Sequence, residues 1–121
     1  MSTSTDAILM YGVALQEGAL PDVNHDDYDA LPADHPERLR YMGDTANGIS
    51  IEAHCSGSCT EYVVGYGASR TCASRGYPEV IADVGARDPA PLLAYCEKWG
   101  LKIDKSVSGG APAWLLFSWW G

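Results

Sequence analysis

The chain has 121 residues, 46% of them apolar, and a formal charge of −8. That length fits a single domain, residues 1–121, and the apolar share excludes global disorder. No apolar run approaches the ~20 residues that cross a bilayer, and no basic leader opens the chain, so the reading is cytoplasmic with no membrane partner.

Taken in chain order, residues 7–15 (Ala-Ile-Leu-Met-Tyr-Gly-Val-Ala-Leu) are apolar on both alternating faces and predict a strand buried on both sides. Residues 16–33 form an acidic connection rich in turn formers. Asp34-His35-Pro36-Glu37 then reads as a helix start, with Asp34 as cap and Glu37 closing a capping box. Leu39, Met42 and Ala46 give this short helix, at about 35–43, a slim apolar face that would cover part of the sheet. Residues 49–55 alternate strictly, with Ile49, Ile51, Ala53 and Cys55 on one side and Ser50, Glu52 and His54 on the other. A returning strand over residues 60–67 completes a hairpin with one wet face, and Gly65 and Gly67 mark a bulge. Residues 68–78 are small and polar, and residues 79–82 suit a short strand or turn.

Asp88-Pro89 opens the main helix, at about 88–99. Its expected apolar face is Leu92, Leu93, Cys96 and Trp99, with Gly100 as the C-terminal cap and Leu101 as the hydrophobe of a Schellman motif. The chain closes on Trp114-Leu115-Leu116-Phe117-Ser118-Trp119-Trp120, apolar on both faces. The elements predict an α+β fold: a small antiparallel or mixed sheet with one main and one short helix. Two-sided end strands need cover on both faces, which leaves room for a partner or a second copy in a homo-oligomer.

Charge is placed unevenly. Residues 1–37 hold eight acidic side chains and no Lys or Arg, whereas residues 38–121 hold eight of each sign. Such a lobe repels nucleic acid and attracts basic surfaces, although it also serves solubility. Asp22, Asp26, Asp27, Asp29, Asp34 and Glu37 are therefore the candidate partner-binding residues, and the partner implied is a protein with a basic surface. Direct nucleic-acid binding is not expected, because the cations are few and dispersed.

Sites for chemistry are weak. His54, Cys55, Cys59 and Cys72 offer zinc ligands, but three residues separate Cys55 from Cys59 where a zinc knuckle has two. With no leader, the four cysteines read as reduced thiols before disulfides. Residues 22–33 resemble a calcium loop but put Asp27 where glycine is required and Ala33 where the bidentate glutamate belongs. No phosphate loop is present, no cofactor is expected, and no pair of residues supports catalysis. A ligand pocket between protomers would draw on Tyr11, Trp119 and Trp120 for stacking and on Arg70 and Arg75 for an anion.

Three pieces of the chain carry a resemblance: Asp6-Ala7-Ile8-Leu9-Met10-Tyr11-Gly12, His54-Cys55-Ser56, and residues 114–121 following Tyr95-Cys96-Glu97-Lys98-Trp99-Gly100. In these the chain resembles small uncharacterised accessory proteins of actinobacterial phages. The resemblance implies a phage-encoded protein made in a bacterial host cytoplasm. Such proteins often inhibit host defence or nucleic-acid processing, and it assigns a role to no residue. The expectation is a non-enzymatic binding protein whose acidic surface imitates nucleic acid. The alternatives are a binder of a small nucleotide or signalling molecule and a small metal-binding structural module.

Overall fold

The computed structural model describes residues 5–20, 28, 30–54, 61–74, 77–81 and 84–120, with the backbone alone at Thr5, His54, Trp119 and Trp120. Its centre is β1 (Thr5–Ala14), whose unbroken apolar sequence is explained by its position. One edge of β1 pairs antiparallel with β5 (Ala113–Trp120) over eight residue pairs. The other edge is shared. Gly12, Val13 and Ala14 pair with β3 (Glu61–Tyr66), and Asp6 to Leu9 pair with β4 (Thr71–Ser74). β2 (Ile49–His54) adds outside β3 as the expected hairpin, giving a five-stranded antiparallel sheet.

The expected bulge is a short excursion. After β3 the chain makes a 3-10 turn, Gly67–Ser69, before resuming beside β1 as β4. The Ser69 hydroxyl bridges the gap, accepting from the Tyr11 amide at 3.0 Å and donating to the Tyr66 carbonyl at 2.6 Å. β4 is a strand that the sequence did not announce, since Thr-Cys-Ala-Ser lacks an apolar pattern. It forms because the first half of β1 offers an unpaired edge, and a buried backbone group without a partner is costly.

One face of the sheet carries the main core. Tyr11, Val13, Ile49, Ile51, Tyr62 and Val64 meet Leu92, Tyr95 and Cys96 of α2 (Ala90–Lys98), with Leu15, Leu20 and Leu101 at the margin. α2 starts one residue later than expected, with Pro89 and not Asp88 at the cap, and the Asp88 carboxylate accepts from the Ala90 amide at 3.0 Å. The Schellman end is present: Gly100 sits at φ +64°, its amide donates to Glu97, and the Leu101 amide donates to Cys96. Leu93 is corrected. It is 38% exposed, and Tyr95, 5% exposed, takes the core position. Positions 92, 95, 96 and 99 follow the helical period more closely than 92, 93, 96 and 99.

The short helix α1 (Pro36–Met42) also differs from expectation in two ways. Its cap is His35, whose Nδ1 accepts from the Glu37 amide at 3.2 Å. A residue before proline is held extended, so the cap falls directly before Pro36 and not at Asp34. Nor does α1 cover the second face of the sheet. It lies beside α2, where the Tyr95 hydroxyl donates to the Leu39 carbonyl, and it buries no residue of its own.

The second face carries a smaller core. Ile8, Met10 and Val63 are buried there, with Cys72, Leu115 and Phe117 packed around them. The outer strands β2 and β5 also approach one another, so the sheet is strongly curled. The hairpin is therefore wet only on β2, because β3 buries Val63 on the side expected to be polar. Close approach at the centre requires glycine: a Cβ on Gly12 would stand 2.4 Å from the Val64 carbonyl oxygen. In the segment predicted as a short strand or turn, residues 79–81 are neither helix nor strand, and Val80 is 88% exposed.

Candidate functional site

Among the described residues a concavity lies between the two helices. It is a cleft of about 370 Å³ walled by Tyr66, Tyr95 and Trp99, with Leu39 and Ile49 at its base and Asp44, Asn47 and Lys98 at its rim. α2 supplies Tyr95, Lys98 and Trp99 from one side, and α1 with the 3-10 turn Thr45–Asn47 supplies the other. Gly43 permits this arrangement. A Cβ there would stand 2.5 Å from the Ile49 carbonyl oxygen, so only glycine lets α1 turn so closely into β2.

The walls are fixed by hydrogen bonds. The Tyr95 hydroxyl donates to the Leu39 carbonyl and lies 3.3 Å from that of Arg40, satisfying groups that the end of α1 leaves free. Burial, then the nearby Cys96 and Asp44, raise its pKa well above the ordinary phenol value. The Tyr66 hydroxyl donates to the Asp88 carbonyl at 2.6 Å, and burial and Asp88 raise its pKa as well. The Tyr66 ring stacks on Tyr11 at 6.1 Å, and Trp114 meets Tyr11 edge-on. At the rim the Asn47 amide donates to Asp44 at 2.7 Å, and the Lys98 ammonium lies 5.3 Å from the centre of the Trp99 ring.

Trp99 separates this cleft from a second hollow of about 240 Å³, lined by Tyr28, Pro36, Glu37, Arg40 and Tyr41. The two hollows run along both sides of α1, the helix at which the acidic segment ends. Asp34 and Glu37 are exposed at its start. Asp22, Asp26, Asp27 and Asp29 lie outside the described residues.

Of the residues expected to form a stacking pocket between protomers, the described side chains are Tyr11 and Arg70. Tyr11 is buried on the helix-covered face. Arg70 donates to Glu52 at 2.7 Å, and Glu52 alternates with Ile51 onto the opposite face. Arg75 and the side chains of Trp119 and Trp120 lie outside the description. Among the weak zinc candidates, Cys55, Cys59 and the side chain of His54 also fall outside it. Cys72 is a free thiol on the curled face, and no three His, Cys, Asp or Glu residues cluster among the described residues. Tyr66, Tyr95 and Trp99 were missed as site residues. Trp99 and Tyr95 were legible as helix positions, but only the approach of α1 makes a cleft of them.

Fold and cleft define a small α+β domain with an aromatic hollow between two helices. Comparison with protein-family models, curated proteins and solved structures found no match.

Proposed function

We propose that this is a non-enzymatic binding protein that engages a basic surface on a partner protein. One observation carries the reading: the aromatic cleft opens beside α1, the helix that closes the acidic segment, with Asp34 and Glu37 exposed at its start. An apolar hollow that takes an anchoring side chain supplies affinity, and surrounding charge supplies steering and on-rate. The titratable groups within the cleft support this use. Both tyrosine hydroxyls are donated to backbone carbonyls and held protonated, so they fix the walls and are not free to exchange protons.

The resemblance to actinobacterial phage proteins extends the proposal to a phage-encoded inhibitor of a host defence or nucleic-acid-processing system. In that role the acidic segment takes the place of nucleic acid in the bacterial cytoplasm. The test is capture from a bacterial lysate on immobilised wild type, on Trp99→Ala and on the triple Asp26→Asn, Asp27→Asn, Asp29→Asn variant. Wild type should retain a basic protein at low salt and release it near about 0.5 M, where the Debye length is only about 4 Å. Both variants should retain less. Equal retention by the triple variant would leave the acidic segment a solubilising feature only.

A further inference from the structure

We infer that the cleft between α1 and α2 binds a free α-amino acid with an apolar side chain. The side chain enters among the aromatic rings, and the ammonium and carboxylate stay at the rim, between Asp44 and Lys98. The cleft volume of about 370 Å³ lies at the small end of the ~300–1,000 Å³ usual for small-molecule sites, which suits one compact ligand. Its interior is apolar, with Leu39 and Ile49 at the base and Tyr66, Tyr95 and Trp99 as walls. The two tyrosines present ring surface. Each hydroxyl donates to a backbone carbonyl, that of Asp88 for Tyr66 and that of Leu39 for Tyr95, so neither has a proton left to give a ligand.

Polar recognition therefore falls to the rim, which carries both signs on opposite sides. Asp44 stands on the link between α1 and the 3-10 turn, and Lys98 is the last residue of α2. One Asp44 carboxylate oxygen accepts from the Asn47 amide at 2.7 Å. Among the described residues its other oxygen has no hydrogen-bond donor, and Lys98 pairs with no carboxylate. The Lys98 ammonium instead lies 5.3 Å from the centre of the Trp99 ring, against a wall of the cleft. Near neutral pH a free amino acid carries both charges and one side chain on a single carbon. Its ammonium is matched to Asp44 and its carboxylate to Lys98 through charge-assisted bonds, while an apolar side chain is removed from water. A simple cation would meet repulsion from Lys98, and a simple anion from Asp44 and from the net charge of −8. The zwitterion is neutral as a whole and escapes both.

This inference does not rest on the basic partner. An anchoring side chain from a partner would fill the same space, so the two occupants exclude one another, and the titrations below use the protein alone.

The test is titration of the intact, isotopically labelled protein, followed by the chemical shift of the Trp99 indole N–H, which is assigned from its loss in Trp99→Phe. L-Phenylalanine and L-leucine should shift that signal saturably below about 10 mM, and glycine, with no side chain to bury, should not. Ligand and rim are then trimmed in matched pairs. L-Phenylalaninamide lacks the carboxylate and should bind wild type about fivefold more weakly than phenylalanine, and Lys98→Gln should not weaken it further. N-Acetylphenylalanine lacks the ammonium and should stand in the same relation to Asp44→Asn. Both variants should melt close to wild type, because Lys98 is exposed and an asparagine at 44 still accepts from Asn47. Three results would overturn the inference: no Trp99 shift with either amino acid, equal binding of phenylalanine and its trimmed forms, or wild-type affinity for phenylalanine in both variants. Amino-acid binding without lysate capture would remove the partner reading alone, and capture without amino-acid binding would remove this one alone.

Discussion

Between β3 and β4 the backbone leaves the ladder for three residues, and the Ser69 hydroxyl stands in for the missing partner of the Tyr11 amide. Ser69→Ala would strand that amide in the interior, which costs about 1–3 kcal/mol. The urea midpoint should fall accordingly, whereas Ser74→Ala, at an exposed position, should leave it nearly unchanged. A second residue-scale effect concerns pH. Burial pushes the Cys96 thiol up to about 11. The native state therefore keeps a proton that the unfolded chain has already lost. This stabilisation is complete below the ordinary thiol value and is lost as pH rises to about 11. Tyr95 acts in the same direction above the ordinary phenol value. Denaturant midpoints should fall through that alkaline window, more steeply in wild type than in Cys96→Ala, and identical slopes would show that the thiol is not buried.

At the scale of elements, α2 is held by the side that carries Leu92, Tyr95 and Cys96. Leu92 is 0% exposed and Leu93 38%. Leu92→Ala should cost about 2–5 kcal/mol, as large-to-small changes in a filled core do. Leu93→Asp, on the exposed side of the helix, should melt within a few degrees of wild type. Differential scanning calorimetry of the two variants tests the rotation of the helix directly. β1 and β3 depend on absent atoms. A Cβ on Gly65 would stand 2.6 Å from the Tyr11 carbonyl oxygen, and one on Gly12 would meet the Val64 carbonyl and the Val63 side chain. Gly12→Ala should therefore prevent the curled sheet from closing, with loss of cooperative melting.

For the whole molecule, the main helix packs on the face that carries the larger core, and a smaller core of Ile8, Met10 and Val63 lies on the other. Under the proposed function, the acidic segment acts mainly through rate. Changing Asp26, Asp27 and Asp29 together to Asn should leave the melting temperature unchanged but slow association with a basic partner by about tenfold at low salt. Stopped-flow mixing across a salt series measures this, and a rate equal to wild type at low salt would assign the charge to solubility.

Much of the fold was legible in residue order because local chemistry decides it. The two-sided apolar runs of β1 and β5, the alternation of β2, the Asp88-Pro89 start of α2 and its Gly100 end all express periodicity, capping and glycine freedom, which act within a few residues. What tertiary contact decided lay elsewhere. β4 exists because β1 has an edge to fill. Val63 is buried because Ile8 and Met10 of the neighbouring strand meet it on the second face, and α1 sits beside α2 because Gly43 lets it approach β2. The cleft likewise joins Leu39 and Ile49 to Tyr66, Tyr95 and Trp99 from four separate elements. Composition and spacing set which side chains were available to bury, but which of them meet depends on backbone approach at Gly12, Gly43 and Gly65, where a single methyl group would alter the path of the chain.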